Sequence, residues 1–446
     1  MLPVLLSAWM LVSAWILVPR FAAAQPVPSS AQVSLQSSAE AASADSTLRL
    51  SALLQEAASA NPSLQAARLR AEARRSRPAQ ASALPDPVAG ATYFPRSIVT
   101  ARGAQRTQWR LQQSIPFPGT RSLRGDVAEL EAVAAEADAD ALAQTLALEI
   151  RRAYYTLHRV QEERRVIRRF QSDLRQFEDA ALTQYEVGTE GQPAVLKAQI
   201  ERQRLDLRME ALAAERRSAL QRLARLTGRS SLLEATVAVA PPQDPAPARP
   251  GRVLDRRPEA EALQANINRA ATEIALARKE TWPDFTLGVQ YVDIAERDLT
   301  PTMDGRDAFA LRVGVQVPLW RGKQRAQIEE AQIERRRAQA ELEAFELEVR
   351  TRVADLQRQI DRQQSQLQLL EDRLLPKAET ALDAALSAYR TGTSSFLDLL
   401  DAQRTLFQLR LQRIGVYTRL LQTTAELERT TGRVTLPSPE STSPSR

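Results

Sequence analysis

Two different spacings of apolar residues divide this chain into two kinds of segment. Over most of the length, apolar residues recur every three or four positions in stretches rich in Ala, Leu, Glu, Gln and Arg, which predicts long helices. In shorter segments apolar and polar residues alternate one by one, which predicts strands at residues 86–96, 105–116, 284–294 and 307–318. The pattern therefore predicts an α+β protein.

The predicted elements occur twice in the same order. A helix of about 30 residues comes first, at 48–80 and again at 254–281, and two strands follow it. A much longer helix then spans residues 120–185 in the first copy and 323–389 in the second, where Pro376 lies near its end. A helix of about 35 residues completes each copy.

Residue identities support a duplication of this helix-strand-strand-helix-helix module. Five landmarks recur in the same order about 200 residues later, a period far longer than that of a solenoid repeat. The matched landmarks are Asn61-Pro62 with Arg257-Pro258, Pro85-Asp86 with Pro283-Asp284, Ile115-Pro116 with Val317-Pro318, Tyr185-x-x-Gly188-Thr189 with Tyr389-x-x-Gly392-Thr393, and Thr227-Gly228 with Thr431-Gly432. We therefore assign residues 48–229 to a first repeat and residues 253–433 to a second.

The helix lengths predict how each repeat packs. One long helix matches the summed length of the two shorter ones, so it can pack against both when they are stacked end to end. The second long helix carries a coiled-coil-like apolar seam at Leu342, Phe345, Val349, Val353, Leu356 and Ile360. Gly228 and Gly432 suit the left-handed residue that follows the last helix of each repeat. These helices alone would also fit a generic coiled-coil protein.

The strands fit either of two environments. Their length and their one apolar face match membrane strands with lipid on one side and water on the other. An ordinary sheet packed on helices would show the same alternation. Four strands cannot close a barrel, so a membrane sheet would have to close by oligomerisation, and three copies would give a twelve-stranded β-barrel.

The segments outside the repeats have distinct compositions. Residues 1–24 contain an apolar run that ends in Ala22-x-Ala24, which predicts a secretory signal peptide, although no Lys or Arg precedes the run. An uncleaved anchor or a different start therefore stays open. Residues 25–46 and 434–446 are predicted to be disordered segments, and the Pro-rich stretch 230–252 is predicted to link the repeats.

Composition argues against several classes of function. The net charge of +6 could suggest nucleic acid, but 60 basic and 54 acidic residues alternate along helices, which is typical of solvated helix faces. The chain has no Cys, which excludes disulfides and thiolate metal sites. His158 is the only histidine and is predicted to be a solvated helix residue rather than a catalyst. With no catalytic or phosphate-binding motif, we expect neither an enzyme nor a bound cofactor or metal.

The segment from Tyr389 to Gln403, YRTGTSSFLDLLDAQ, resembles the most specific motif of TolC-type outer-membrane efflux proteins. The duplicated module resembles the same family over nearly the whole chain beyond the signal peptide. Ile115-Pro116-Phe117-Pro118-Gly119 and Leu374-Leu375-Pro376 resemble its heavy-metal (CzcC-like) branch. The resemblance implies a homotrimer with a twelve-stranded barrel in outer-membrane lipid and a helical tunnel in the periplasm. It implies the channel component of a tripartite efflux system, a passive exit duct for drugs or metal cations.

The resemblance also implies roles for individual residues. Asp398 and Asp401 match aspartates that line the tunnel entrance, and Tyr389 matches a residue that helps to hold it closed. Ser395-x-x-Asp398 is equally a capping box, which is a purely structural alternative. Ser394 replaces the arginine that the family has before these aspartates. Ala194 and Lys197 stand at the aspartate positions of the first repeat.

The turns at Gly188-Thr189 and Gly392-Thr393 would form the periplasmic tip. There the resemblance implies docking of a periplasmic adaptor protein and of an inner-membrane pump, of the resistance-nodulation-division type. The alternative is an exported periplasmic coiled-coil scaffold or adaptor without a pore.

Overall fold

The computed structural model describes residues 47–100, 103–186, 191–229, 236–237, 257–295, 306–433 and 436. The predicted signal peptide and the segment 25–46 lie outside the described residues, as do nearly all of the predicted linker and tail.

The first repeat begins with three short helices, where the sequence pattern predicts a single helix. Its helices and strands are β1 (Thr47–Leu48), α1 (Leu50–Ala60), α2 (Pro62–Arg75), α3 (Arg77–Ala81), β2 (Val88–Thr100), β3 (Gly103–Ile115), α4 (Thr120–Glu186) and α5 (Gln192–Thr227). The prediction of one helix over 48–80 is wrong. Asn61 is extended because the ring of Pro62 disfavours a helical residue before it, and the Asn61 side chain caps α2 instead.

The second repeat has the same order with one irregularity. Its helices and strands are α6 (Pro258–Lys279), β5 (Asp284–Ala295), β6 (Ala308–Gln316), α7 (Arg321–Leu369), α8 (Leu375–Arg390) and α9 (Phe396–Thr430), and the two-residue β4 (Thr236–Val237) precedes them. The predicted continuous helix over 323–389 is interrupted by a π-helical turn, Leu370–Leu374. The turn lies just before Pro376, which has no N–H to continue the α-helical hydrogen bonds.

Four strands form one antiparallel sheet in the order β2-β3-β5-β6. The strands of each repeat form a hairpin, and β3 pairs with β5 to join the two hairpins. A separate two-residue parallel pair connects β1 with β4. The sheet is thus assembled from equal contributions of the two repeats.

The long helices pack as their lengths predict. α4 contacts α1, α2 and α3 near one end and α5 near the other, and α7 contacts α6 and α9. The predicted apolar seam is confirmed, because Val349, Val353, Leu356 and Ile360 form a buried cluster with Leu427 of α9.

The stacked short helices meet at equivalent junctions in the two repeats. In the first, the Asn61 amide donates to the carbonyl of Leu226, 2.8 Å away at the end of α5. In the second, the buried Arg257 guanidinium donates to the carbonyl of Thr430, at 3.2 Å. Each donor satisfies a carbonyl at a helix end that has no partner within its own helix.

Candidate functional site

A Schellman turn closes the helical tip of the second repeat. Gly392 is left-handed, with φ of 72°, and its N–H donates to the carbonyl of Tyr389 at 3.1 Å. The N–H of Thr393 reaches back to the carbonyl of Ala388 at 2.9 Å. Gly228 and Gly432 end α5 and α9 with the same left-handed backbone, which confirms the prediction for these two glycines.

Asp398 is the third residue of α9 and forms a capping box with the N-cap residue Ser395. Its Oδ2 accepts hydrogen bonds from the Ser395 hydroxyl at 2.8 Å, from the Ser395 N–H at 3.1 Å and from the Ser394 hydroxyl at 3.1 Å. The Asp398 N–H donates to the Ser395 hydroxyl oxygen at 3.3 Å, which completes the capping box. The hydroxyl of Ser395, its N–H and the hydroxyl of Ser394 together lower the pKa of Asp398. Ser394 therefore supports the aspartate that it precedes.

The other predicted residues of the tip differ in exposure. Asp401 lies one turn after Asp398 and is exposed, as is Lys197 in the first repeat, whereas Ala194 is buried. Tyr389 is buried, and its ring lies edge-on to Phe396 with centroids 6.0 Å apart. Gly188 and Thr189 lie outside the described residues, so the structure describes only the turn at Gly392-Thr393.

The tip of the second repeat is packed onto the first. Phe407 of α9 stacks on Phe170 of α4 with ring centroids 4.5 Å apart. The Gln403 amide donates to the Asp173 carboxylate at 2.9 Å. Sequence reasoning missed these contacts because their partners are more than two hundred residues apart along the chain.

His158 differs from its prediction. It is half-buried on α4, and its ring lies edge-on to Tyr417 of α9 with centroids 6.5 Å apart. Burial lowers the pKa of His158. The residue is therefore part of the packing between the repeats rather than a solvated helix residue.

One face of the sheet is apolar and exposed. The paired positions Trp109, Tyr291 and Phe309 form one row across the sheet, and Leu111, Val289 and Leu311 form the next. Leu311 and Val313 are 75% and 71% exposed and belong to a contiguous apolar patch rather than being single exposed residues. A continuous exposed apolar surface of this kind indicates contact with lipid or protein.

The opposite face is polar around Gln290, and farther along β5 it carries the buried Val292 and Ile294. Gln290 lies opposite Arg110 on this face, and Arg312, which pairs with Gly288, donates to the side-chain oxygen of Gln290 at 3.0 Å. Among the strands that the structure describes, β2 and β6 are the outer ones, and each pairs on one side only. None of the helices in the described ranges combines the length and apolar character that crossing a membrane requires. Those ranges also contain no group of three His, Asp or Glu side chains arranged to hold a metal ion.

Comparison with known proteins identifies the family. The family model of the outer membrane efflux proteins matches residues 53–229 and 250–433, one stretch in each repeat. The chain belongs to the outer membrane efflux protein family. Membership places this efflux protein in the Gram-negative outer membrane, as its resemblance implied.

Two relatives of this efflux protein show different kinds of substrate in their names. The cobalt-zinc-cadmium resistance protein CzcC of Cupriavidus metallidurans is 29% identical over 240 residues, 53% of this chain and 56% of CzcC. The pyoverdine export outer membrane protein OpmQ of Pseudomonas putida is 27% identical over 186 residues, 41% of this chain and 38% of OpmQ. The efflux protein therefore matches only about half or less of the length of these relatives.

The solved structure of the outer-membrane channel OprN has the same fold. It superposes with a TM-score of 0.76 over 87% of this efflux protein and 91% of OprN, at 21% identity. At that identity the likeness establishes the fold alone. CzcC, OpmQ and OprN are described as resistance, export or channel proteins rather than as enzymes.

Proposed function

We propose that three copies of this chain form a channel through the outer membrane, the passive exit duct of a tripartite efflux system. The observation that carries the proposal is the four-stranded sheet, which exposes one apolar face and leaves both edges open. In lipid such a sheet requires closure, because unpaired backbone amides at an edge cost several kcal/mol each.

A water-filled pore favours three copies over two. Two copies would supply about eight strands, a barrel that side chains fill, whereas three supply twelve and leave room for water. The apolar face would contact lipid, and the polar face with Arg110, Gln290 and Arg312 would line the pore. The resemblance to TolC-type trimers supports the same number.

The tip of the helices would form the periplasmic entrance. Asp398 and Asp401 follow each other on the first turns of α9, so three copies would form two carboxylate rings that attract cations. Tyr389 would brace these turns from the core beneath them. We assign adaptor docking to the turns at Gly188-Thr189 and Gly392-Thr393.

The substrate would be delivered rather than selected by the channel. The inner-membrane pump, of the resistance-nodulation-division type, and its adaptor would choose it. Among drugs and metal cations, the similarity to CzcC favours metal cations, and the proposed carboxylate rings agree with a cationic cargo.

The proposal is tested by location and native mass. The full chain is expressed in a Gram-negative host, the two membranes are separated, and the mass of the detergent-extracted protein is measured. We expect a trimer in the outer-membrane fraction. A soluble monomer in the periplasm would overturn the channel and favour the scaffold.

A further inference from the structure

We propose that each chain binds one phospholipid on the apolar face of its sheet, with an acyl chain in a groove beside Leu287 and the phosphate at Lys279. The inference rests on the proposed channel, because it takes the apolar face to contact the lipid of the outer membrane. It adds a defined lipid site to that face. The phospholipid belongs to the leaflet on the helix side of the sheet, which is the periplasmic leaflet in the proposed channel.

An open groove lies on the apolar face, in the half of the sheet that is nearer to the helices. Its volume is about 380 Å³. Two adjacent rows of paired residues form its walls, and β5, which has a strand on each side, contributes to both rows. The groove is therefore complete within one chain. The rows are Leu111, Val289 and Leu311, and Gln113, Leu287 and Val313.

Gln113 is a polar residue in the wall of the groove, and the backbone satisfies its amide. Its Nε2 donates to the carbonyl of Pro85 at 2.6 Å and to the carbonyl of Ser114 at 2.9 Å. Because both N–H groups of this amide are bonded, they need no water. The groove can therefore hold an acyl chain without leaving an unpaired donor in lipid.

Two exposed tryptophans mark the boundary of the membrane at the helix side of the sheet. Trp282 precedes β5 and is 57% exposed, and Trp320 follows β6 and is 81% exposed. Tryptophan side chains concentrate at the level of lipid headgroups, because an apolar ring there carries an N–H that can meet water. The lipid headgroups should therefore lie at this level, and the groove should lie on the hydrocarbon side of it.

Lys279 brings a positive charge to the same boundary. It is the last residue of α6, and its ammonium nitrogen lies 5.2 Å from the centroid of the Phe117 ring. Phe117 stacks on Trp282 with ring centroids 5.1 Å apart. A cation–π contact therefore holds the ammonium at the level that Trp282 marks.

The carboxylates nearest to Lys279 in sequence have other partners. Glu280 forms an ion pair with Arg124 at 2.9 Å, and Asp284 accepts a hydrogen bond from the N–H of Phe117 at 2.9 Å. Over the ranges that the structure describes, Lys279 forms no ion pair. An ammonium without a carboxylate partner at the surface of a membrane attracts the negative phosphate of a lipid.

The distance from the groove to Lys279 matches one leaflet. Four residues separate Gln113 from Phe117, which is about 13 Å along an extended chain. Half of the hydrocarbon core of a bilayer is about 15 Å thick. A phospholipid whose phosphate contacts Lys279 would therefore run its acyl chains alongside the groove.

Native mass spectrometry of the detergent-extracted protein tests the site. The protein is stripped of lipid and titrated with dimyristoyl phosphatidylglycerol, and the bound lipids are counted at each concentration. We expect the first lipids to fill one site per chain. Lys279→Gln should weaken this binding about fivefold, the effect of one lysine at an anionic membrane surface. Lys279→Arg should retain it, because a guanidinium keeps both the charge and the cation–π contact.

A second variant tests the groove with the lysine in place. Val289→Trp would fill the groove with an apolar side chain that suits the lipid face, so the protein should still assemble. We expect the same lipid to bind more weakly to this variant. The matched control is Lys323→Gln, which removes an exposed lysine from the first turn of α7 on the helix side of the sheet and should leave lipid binding unchanged.

The native mass separates failure of the lipid site from failure of the channel. In a protein of trimeric mass, unchanged lipid binding by both Lys279→Gln and Val289→Trp would overturn the site and leave the channel standing. Equal weakening by Lys323→Gln would also overturn the site, since the attraction would then be diffuse. Masses above the trimer that carry no lipid would overturn it by assigning the groove to contact with a second copy. A soluble monomer would overturn the channel and the site together.

Discussion

The carboxylates of the two tip aspartates, Asp398 and Asp401, have different surroundings. The Asp398 carboxylate accepts three hydrogen bonds from Ser394 and Ser395, whereas Asp401 stands exposed one turn later. Each of the three donors favours the ionised form, which lowers the pKa of the Asp398 carboxyl. Asp398 is therefore both the N3 partner in the capping box of α9 and, in the proposed channel, a fixed negative charge.

Removing these charges should change ion selectivity. In a reconstituted bilayer, Asp398→Asn with Asp401→Asn should lower the preference for cations and weaken block by multivalent cations. Asp361→Asn, an exposed aspartate on α7, serves as the control and should leave both unchanged. Unchanged selectivity of the double variant would assign Asp398 to capping alone.

Acidification should remove the stability that the ionised Asp398 contributes to the start of α9. Its folded-state pKa is lowered, so the stability it adds to the start of α9 is present above the pKa of the unfolded chain and is lost as pH falls through the folded pKa. The protection factors for hydrogen exchange in the first turn of α9, taken relative to the intrinsic exchange rate at each pH, should fall on acidification through that range. Asp398→Asn should exchange faster at neutral pH and should lose most of this pH dependence.

At the scale of elements, α1 and α5 approach each other closely at their end-to-end junction. A Cβ on Gly228 would lie 2.5 Å from the carbonyl oxygen of Ala60. Gly392 has nearly the same backbone, with φ of 72° against 76°, but a Cβ there would meet nothing within 4 Å. Substitution at these two glycines therefore distinguishes the cost of a left-handed backbone from the cost of a steric clash.

Alanine substitution measures that difference. Gly392→Ala should cost about 1–2 kcal/mol, the strain of a left-handed residue. Gly228→Ala should cost about 1–3 kcal/mol more, because overpacking at the Ala60 carbonyl adds to the same strain. Denaturant unfolding of the detergent-extracted protein would compare them, and equal losses would contradict the clash.

At the scale of the whole molecule, the two faces of the sheet should tolerate charge differently. Leu311→Arg would place a guanidinium on the face proposed to contact lipid, at a cost of about 2–4 kcal/mol near the membrane midplane. Ala310→Arg, the next residue on the same strand, faces the polar side with Arg312. We expect Ala310→Arg to form heat-stable trimers and Leu311→Arg to form markedly fewer of them. Equal assembly would contradict the assignment of the lipid face.

Local features were predictable from the sequence, because the groups that form them are neighbours along the chain. The alternation in the strands, the Ser395-x-x-Asp398 cap, the left-handed glycines and the seam of α7 are all of this kind. Only the tertiary structure decided which faces are covered. Tyr185 and Tyr389 share one motif, yet one is exposed and the other buried, and His158 packs on Tyr417 from the other repeat. Burial depends on partners that are distant in sequence, and no local pattern contains them.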